Sequence, residues 1–236
     1  MAQLVRERTR GWPWGHPTAT PRGLVDRQSY ALTSQVDAVP AAAKVPLLWF
    51  SGATAVGKST IGYEIFRHIY RTGVRAAYVD VEQIAALRPS TDDDEDNHRL
   101  KTRNLAALWA EYRAVGARYL IVSGEADSDE IVRGYADLLP DTALTVCRLH
   151  ASPTTLHERV VQRGRGGGPA MPGDALKGLD QGALRRVAER AAGEAEALNR
   201  AGAGDLRIDT DGRSVHEVAA EAMARLELAT GANVDS

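Results

Sequence analysis

The chain predicts an α/β sandwich, with a five-stranded parallel sheet between two layers of helices and a glycine- and arginine-rich lid. Three observations carry this. Short apolar runs alternate with amphipathic stretches from residue 45 onward, a pattern that calls for parallel pairing through right-handed crossovers. The first apolar run, "VPLLWFSG", leads directly into "ATAVGKST", so Gly52, Gly57, Lys58 and Ser59 fit G-x-x-x-x-G-K-[ST]. Late in the chain, "ERVVQRGRGGG" sets Arg159, Arg163 and Arg165 beside a run of glycines.

The elements follow in order. "VPLLWFSG" (45–52) is a continuous apolar run ending at glycine, as a strand buried on both faces requires. "KSTIGYEIFRHIYRTG" places Ile61, Ile65, Phe66 and Ile69 on one helical face and stops at Gly73. "RAAYVDVE" is the second strand. "TDDDEDNHRLKTRNLAALWAEYRAVG" opens acidic and becomes helical, with Leu105, Leu108, Trp109 and Tyr112 on one face. "ARYLIVSG" is the third strand, and "SDEIVRGYADLL" a helix capped by Ser128. "TALTVCRLHA" is the fourth strand. "PTTLHERVVQRG" is a helix with Pro153 in its first turn. The glycine-rich 164–174 follows, then the helix "ALRRVAERAAGEAEALNRAG", the last strand "DLRIDTDG" and the last helix "SVHEVAAEAMARLELA".

Residues 1–44 read differently. Trp12, Trp14 and three prolines within 13–21 give no helical period, so an irregular arm is expected, packed on the domain or on a partner subunit. The catalytic domain is expected over 45–229, with the lid about 159–180 and a frayed tail at 230–236. A net charge of −2 argues against general nucleic-acid binding. No apolar run approaches the roughly 20 residues that span a membrane. The opening segment lacks the apolar core of a signal peptide, so the cytoplasm is the expected location. The single cysteine, Cys147, lies in an apolar run and reads as a small buried hydrophobe.

The chemistry starts at the loop. Gly52 and Gly57 let backbone N–H groups turn inward around a polyphosphate, so Thr54, Ala55, Val56, Gly57, Lys58, Ser59 and Thr60 are the expected nucleotide contacts. The helix that begins near Lys58 adds its N-terminal partial charge. Lys58 reaches the β- and γ-phosphates, and the Ser59 hydroxyl can ligate Mg2+. Asp80 and Glu82 stand at the carboxyl end of the second strand, where ligands of an open parallel sheet bind. Asp80 is the expected base for an attacking hydroxyl, and Glu82 a substrate contact. Arg163, with Arg159 and Arg165, is placed to neutralise a transferring phosphoryl group.

Together, "GATAVGKST", "YVDVEQI", "RLHASPTTLHERVVQR" and "IDTDGRSVHEVA" resemble the small-molecule kinases of the P-loop superfamily, over roughly residues 45–227. That group includes adenylylsulfate, gluconate and shikimate kinases and chloramphenicol phosphotransferase. The resemblance implies the strand order 2-3-1-4-5, ATP and Mg2+ as cofactors, and a base pocket lined by Thr210, Asp211, Gly212 and Arg213. A looser likeness of residues 94–123 to adenylylsulfate kinase implies Arg99, Arg103 and Asn104 as acceptor contacts. Glu125 and Asp127, just after the third strand, are further acceptor-cleft candidates. That strand ends in Ser123 and Gly124 and has no terminal aspartate, which favours transfer to a bound hydroxyl over hydrolysis.

The expected function is therefore transfer of the γ-phosphoryl group of ATP to a hydroxyl of a small metabolite or antibiotic. A nucleoside monophosphate kinase and a nucleotide-sensing binding protein with little turnover remain as alternatives. The helical face of "NLAALWAEY" (104–112) and the Trp-bearing arm could support a homodimer, or that face could serve the protomer's own core.

Overall fold

The computed structural model describes residues 44–94, 96–126, 128–168 and 174–230. Asp127, residues 169–173, the tail after 230 and all of the predicted arm except Lys44 lie outside the described residues.

Five parallel strands form one sheet in the order β2-β3-β1-β4-β5. They are β1 (Val45–Ser51), β2 (Ala76–Asp80), β3 (Tyr119–Ser123), β4 (Thr142–His150) and β5 (Leu206–Asp209). The helices are α1 (Lys58–Arg71), α2 (His98–Ala114), α3 (Asp129–Ala136), α4 (Pro153–Gly164), α5 (Gln181–Arg200) and α6 (Val215–Thr230). Every predicted strand and helix is present, because each carries a complete periodic signal within its own segment.

β1 is central and pairs with both β3 and β4, with Trp49 opposite Val122 on one side and Val146 on the other. Its side chains alternate between faces. Leu48 and Phe50 join Ile61, Ile65 and Ile69 of α1 and Val218 and Ala222 of α6 in one core layer. Leu47 and Trp49 join Leu105 and Trp109 of α2 and Val132 and Tyr135 of α3 in the other. Each fully buried large side chain contributes roughly 1.5–3 kcal/mol through apolar burial. The apolar face of α2 therefore packs into the protomer's own core, where Trp109 also donates to Asp141 at 2.9 Å.

Local chemistry sets the ends. Ser128 accepts from the Ile131 N–H and caps α3. Ser152 does the same for α4 through Thr155, with Pro153 at the first turn. Cys147, in the middle of β4, has no exposed surface, and burial, reinforced by Asp205, pushes its thiol up to about 12.

One consequence of this order positions the site. The loop after β1 sits between the ends of β2 and β3 on one side and those of β4 and β5 on the other. Ligands of open parallel sheets bind at this carboxyl edge.

Candidate active site

The loop between β1 and α1 is tightly specified. Gly52 has φ 137°, and a Cβ there would lie 2.5 Å from the Leu149 carbonyl oxygen, so no other residue fits. Lys58 is 9% exposed and donates to the carbonyls of Gly52 (2.9 Å) and Ala53 (3.2 Å). Burial draws its ammonium below the usual lysine range, while Glu125, Glu194, Glu82 and Asp80 pull in the opposite direction.

The Ser59 hydroxyl donates to Asp80 Oδ2 at 2.6 Å. The other Asp80 oxygen accepts the Glu82 N–H at 3.0 Å. Asp80 is thus held against the loop with both oxygens engaged. The Tyr78 hydroxyl lies 2.8 Å from Ser123 Oγ and donates to the Ser59 carbonyl at 3.3 Å. Two residues beyond Asp80, Glu82 accepts from Lys101 Nζ at 2.7 Å and from the Glu125 N–H at 3.2 Å. Glu125 Oε1 in turn accepts the Thr54 hydroxyl at 3.1 Å. The Thr54 N–H itself donates to Glu194 Oε2 of α5 at 2.9 Å.

Across the loop the charges are reversed. Arg159 donates to Val56 O and Thr210 Oγ1, both at 2.9 Å, and to Thr210 O at 3.0 Å. It clamps the β1–α1 loop to the end of β5. Arg163 makes a two-pronged pair with Asp174, at 2.9 and 3.1 Å. Burial works to raise the Asp174 carboxyl, but Arg163 and the Leu176 N–H outweigh it and hold it below the usual carboxylate range. Arg213 reaches Glu221 at 2.6 Å and the Asp209 carbonyl at 3.0 Å. Asp211 accepts the Ser152 N–H.

Many of these groups line one cleft of about 810 Å3. It brings together Thr54 to Thr60, Asp80, Glu82, Glu125, Arg159, Arg163, Thr210 and Arg213. Other sequence candidates stand apart from its lining. Arg99 is exposed and paired with Asp93 at 2.6 Å. Arg103 is exposed, and Asn104 donates to the Ile84 carbonyl at 2.6 Å. Asp211 and Gly212 lie at the rim outside the lining, and Arg165 ends α4 in solvent. Asp127 lies outside the described residues.

Sequence reasoning missed Lys101, Asp174 and Glu194. Lys101 carried a usable signal. It falls on the same α2 face as Leu105, Leu108 and Tyr112, and a lysine on an apolar stripe needs a partner. Glu194 is one of several glutamates on an amphipathic helix and gave no local sign.

No protein-family model matches the chain, and no curated protein matches it in sequence. Solved structures do share its fold. A gluconokinase from Sinorhizobium meliloti 1021 superimposes with a TM-score of 0.51 at 17% identity, covering 81% of this chain and 99% of that one. The tunicamycin resistance protein of Deinococcus radiodurans gives 0.51 at 20% identity, covering 78% and 96%. At these identities the likeness establishes the fold alone, a three-layer α/β sandwich around a parallel sheet in the order β2-β3-β1-β4-β5.

Proposed function

We propose that the protein is an ATP-dependent phosphotransferase that moves the γ-phosphoryl group to a hydroxyl of a small metabolite or antibiotic. The observation that carries this reading is the Ser59–Asp80 contact at the mouth of a complete phosphate loop, with further carboxylates on the β2–β3 side. An oxygen-only pair of this kind suits Mg2+, which keeps several waters of its own. Ser59 would hold the ion directly and Asp80 through water. When bound, Mg2+ neutralises charge on the β- and γ-phosphate oxygens.

The arginines support one orientation of the nucleotide. A polyphosphate would run from the loop toward Arg159, Arg163 and Arg213, with the base beside Thr210, Val215 and Val218, which line the same cleft. The β2–β3 half is left for the acceptor. In the transfer, the acceptor oxygen bonds to the γ-phosphorus as the bond to the β–γ bridging oxygen breaks. The electron pair leaves on ADP. The hydroxyl proton would pass to Asp80, the carboxylate beside the loop, and from there to solvent, while Glu82, which Lys101 orients, contacts the acceptor. Catalysis is chiefly positioning and charge stabilisation, with Lys58 and Arg163 opposing the developing negative charge.

The acceptor half also bears on the monophosphate-kinase alternative. An acceptor phosphate calls for several arginines, and neither Arg99 nor Arg103 lines the cleft.

The test is phosphorus NMR of ATP with pooled hydroxylated metabolites, nucleosides and antibiotics. A new phosphomonoester resonance with one pool is the expected result. ATP that binds and stays intact with every pool would sink the proposal.

A further inference from the structure

We infer, on the phosphotransfer reading above, that the acceptor is a hydroxylated amine, held through its ammonium group between Glu125 and Glu194. The phosphate loop and cleft locate the site; the carboxylates decide the charge of what fits there.

The argument begins at Thr54, the third residue of the loop. Two carboxylates from distant segments converge on it. Glu125 takes its hydroxyl at 3.1 Å, and Glu194 takes its N–H at 2.9 Å. The lining continues with Asp80, Glu82 and Asp96. The cations available to this half are already committed. Lys101 is buried and bonded to Glu82 at 2.7 Å. Lys58 lies 3.8 Å from Glu125 but belongs to the phosphate loop and serves the phosphates. Arg190 lies 3.8 Å from Glu194 and is 68% exposed, so water screens most of its effect.

The acids differ in what they can still do. Asp80 and Glu82 each have both oxygens engaged. Glu125 is 56% exposed, and its Oε2 has no hydrogen-bond partner among the described residues. An ammonium group that donates to Glu125 and Glu194 makes charge-assisted bonds to both. A carboxylate or phosphate on the acceptor would instead add like charge to a half that already carries a surplus. Such repulsion excludes a wrong substrate as effectively as attraction selects a right one.

The experiment follows ATP by phosphorus NMR with three pools of polyols. One holds amino sugars and aminocyclitols, the second their N-acetylated forms, the third sugar acids and nucleoside monophosphates. The expected result is a phosphomonoester formed at least tenfold faster in the first pool, at a rate that falls as salt is raised. Faster transfer in the second or third pool overturns the inference and leaves phosphotransfer standing. Bound ATP unchanged in all three overturns both. For the best amine of the first pool, Glu125→Gln should raise KM about tenfold more than it does for the N-acetyl form of the same compound. An equal change for both forms would mean that Glu125 only braces the loop, and would overturn the inference.

Discussion

The two halves of the cleft are built by opposite means. On the β4–β5 side, Arg159 and Arg213 are fastened to main-chain carbonyls, and Arg159 holds the loop to the end of β5. On the β2–β3 side, carboxylates are fastened to a hydroxyl, to backbone N–H groups and to one buried lysine. Cations tied to the backbone suit a ligand whose charge never varies, and a polyphosphate is such a ligand. Carboxylates tied to side chains from several elements suit a ligand that must be told apart from others. The first half reads as general machinery and the second as the source of selectivity.

This contrast can be broken at several points. Lys58→Ala should have the largest effect, about a thousandfold loss of kcat with any acceptor, because it removes the loop's own cation. Steady-state kinetics on two unrelated acceptors would check it; a loss confined to one acceptor would erase the distinction between halves. Asp80→Asn should cost roughly a hundredfold in kcat, which is about 2.7 kcal/mol of barrier. ATP affinity, measured by calorimetry, should change only a few-fold, and equal losses in both would remove Asp80 from the chemistry.

Smaller effects sharpen the comparison. At Gly124 an added Cβ would lie 2.1 Å from Val81 Cγ2, at the junction of β3 with the acceptor half. Gly124→Ala should destabilise the fold by about 2 kcal/mol through overpacking, seen in denaturant unfolding. It should also disturb acceptor KM more than ATP binding. The smallest effect is expected on the opposite side. Asp174→Asn removes the partner of Arg163 and should cost about 1 kcal/mol at neutral pH. Because the folded Asp174 carboxyl is held below its ordinary range, that contribution is complete above about pH 4 and fades as pH falls through the depressed value. The Tm gap between wild type and variant should therefore narrow as the pH falls below the ordinary carboxylate range; a gap that widens on acidification would contradict the pairing.

The same divide explains what could be read in advance. The strands and helices were legible because their periodicity is local. The loop was legible because Gly52, Gly57, Lys58 and Ser59 lie within eight residues in the sequence. Strand order came through resemblance, since nothing within one strand names its neighbour. The acceptor half was only partly legible. Glu82 and Glu125 were suggested by their places after β2 and β3. Glu194 meets Thr54 across 140 residues, a distance over which a single sequence carries no pairing signal. Arg99 and Arg103 were drawn from a loose likeness along α2. The helix turns both outward, while Lys101, between them, is the side chain it turns in.

Cys147 remains, one thiol in the whole chain, sealed in the fourth strand directly opposite Phe50. Folded, it has neither the access nor the thiolate character that alkylating reagents need. Its reaction with such a reagent therefore reports opening of the central sheet. The protein carries its own clock for that event, readable by mass as the gain of a single adduct, with no label to introduce and no second thiol to confuse the count.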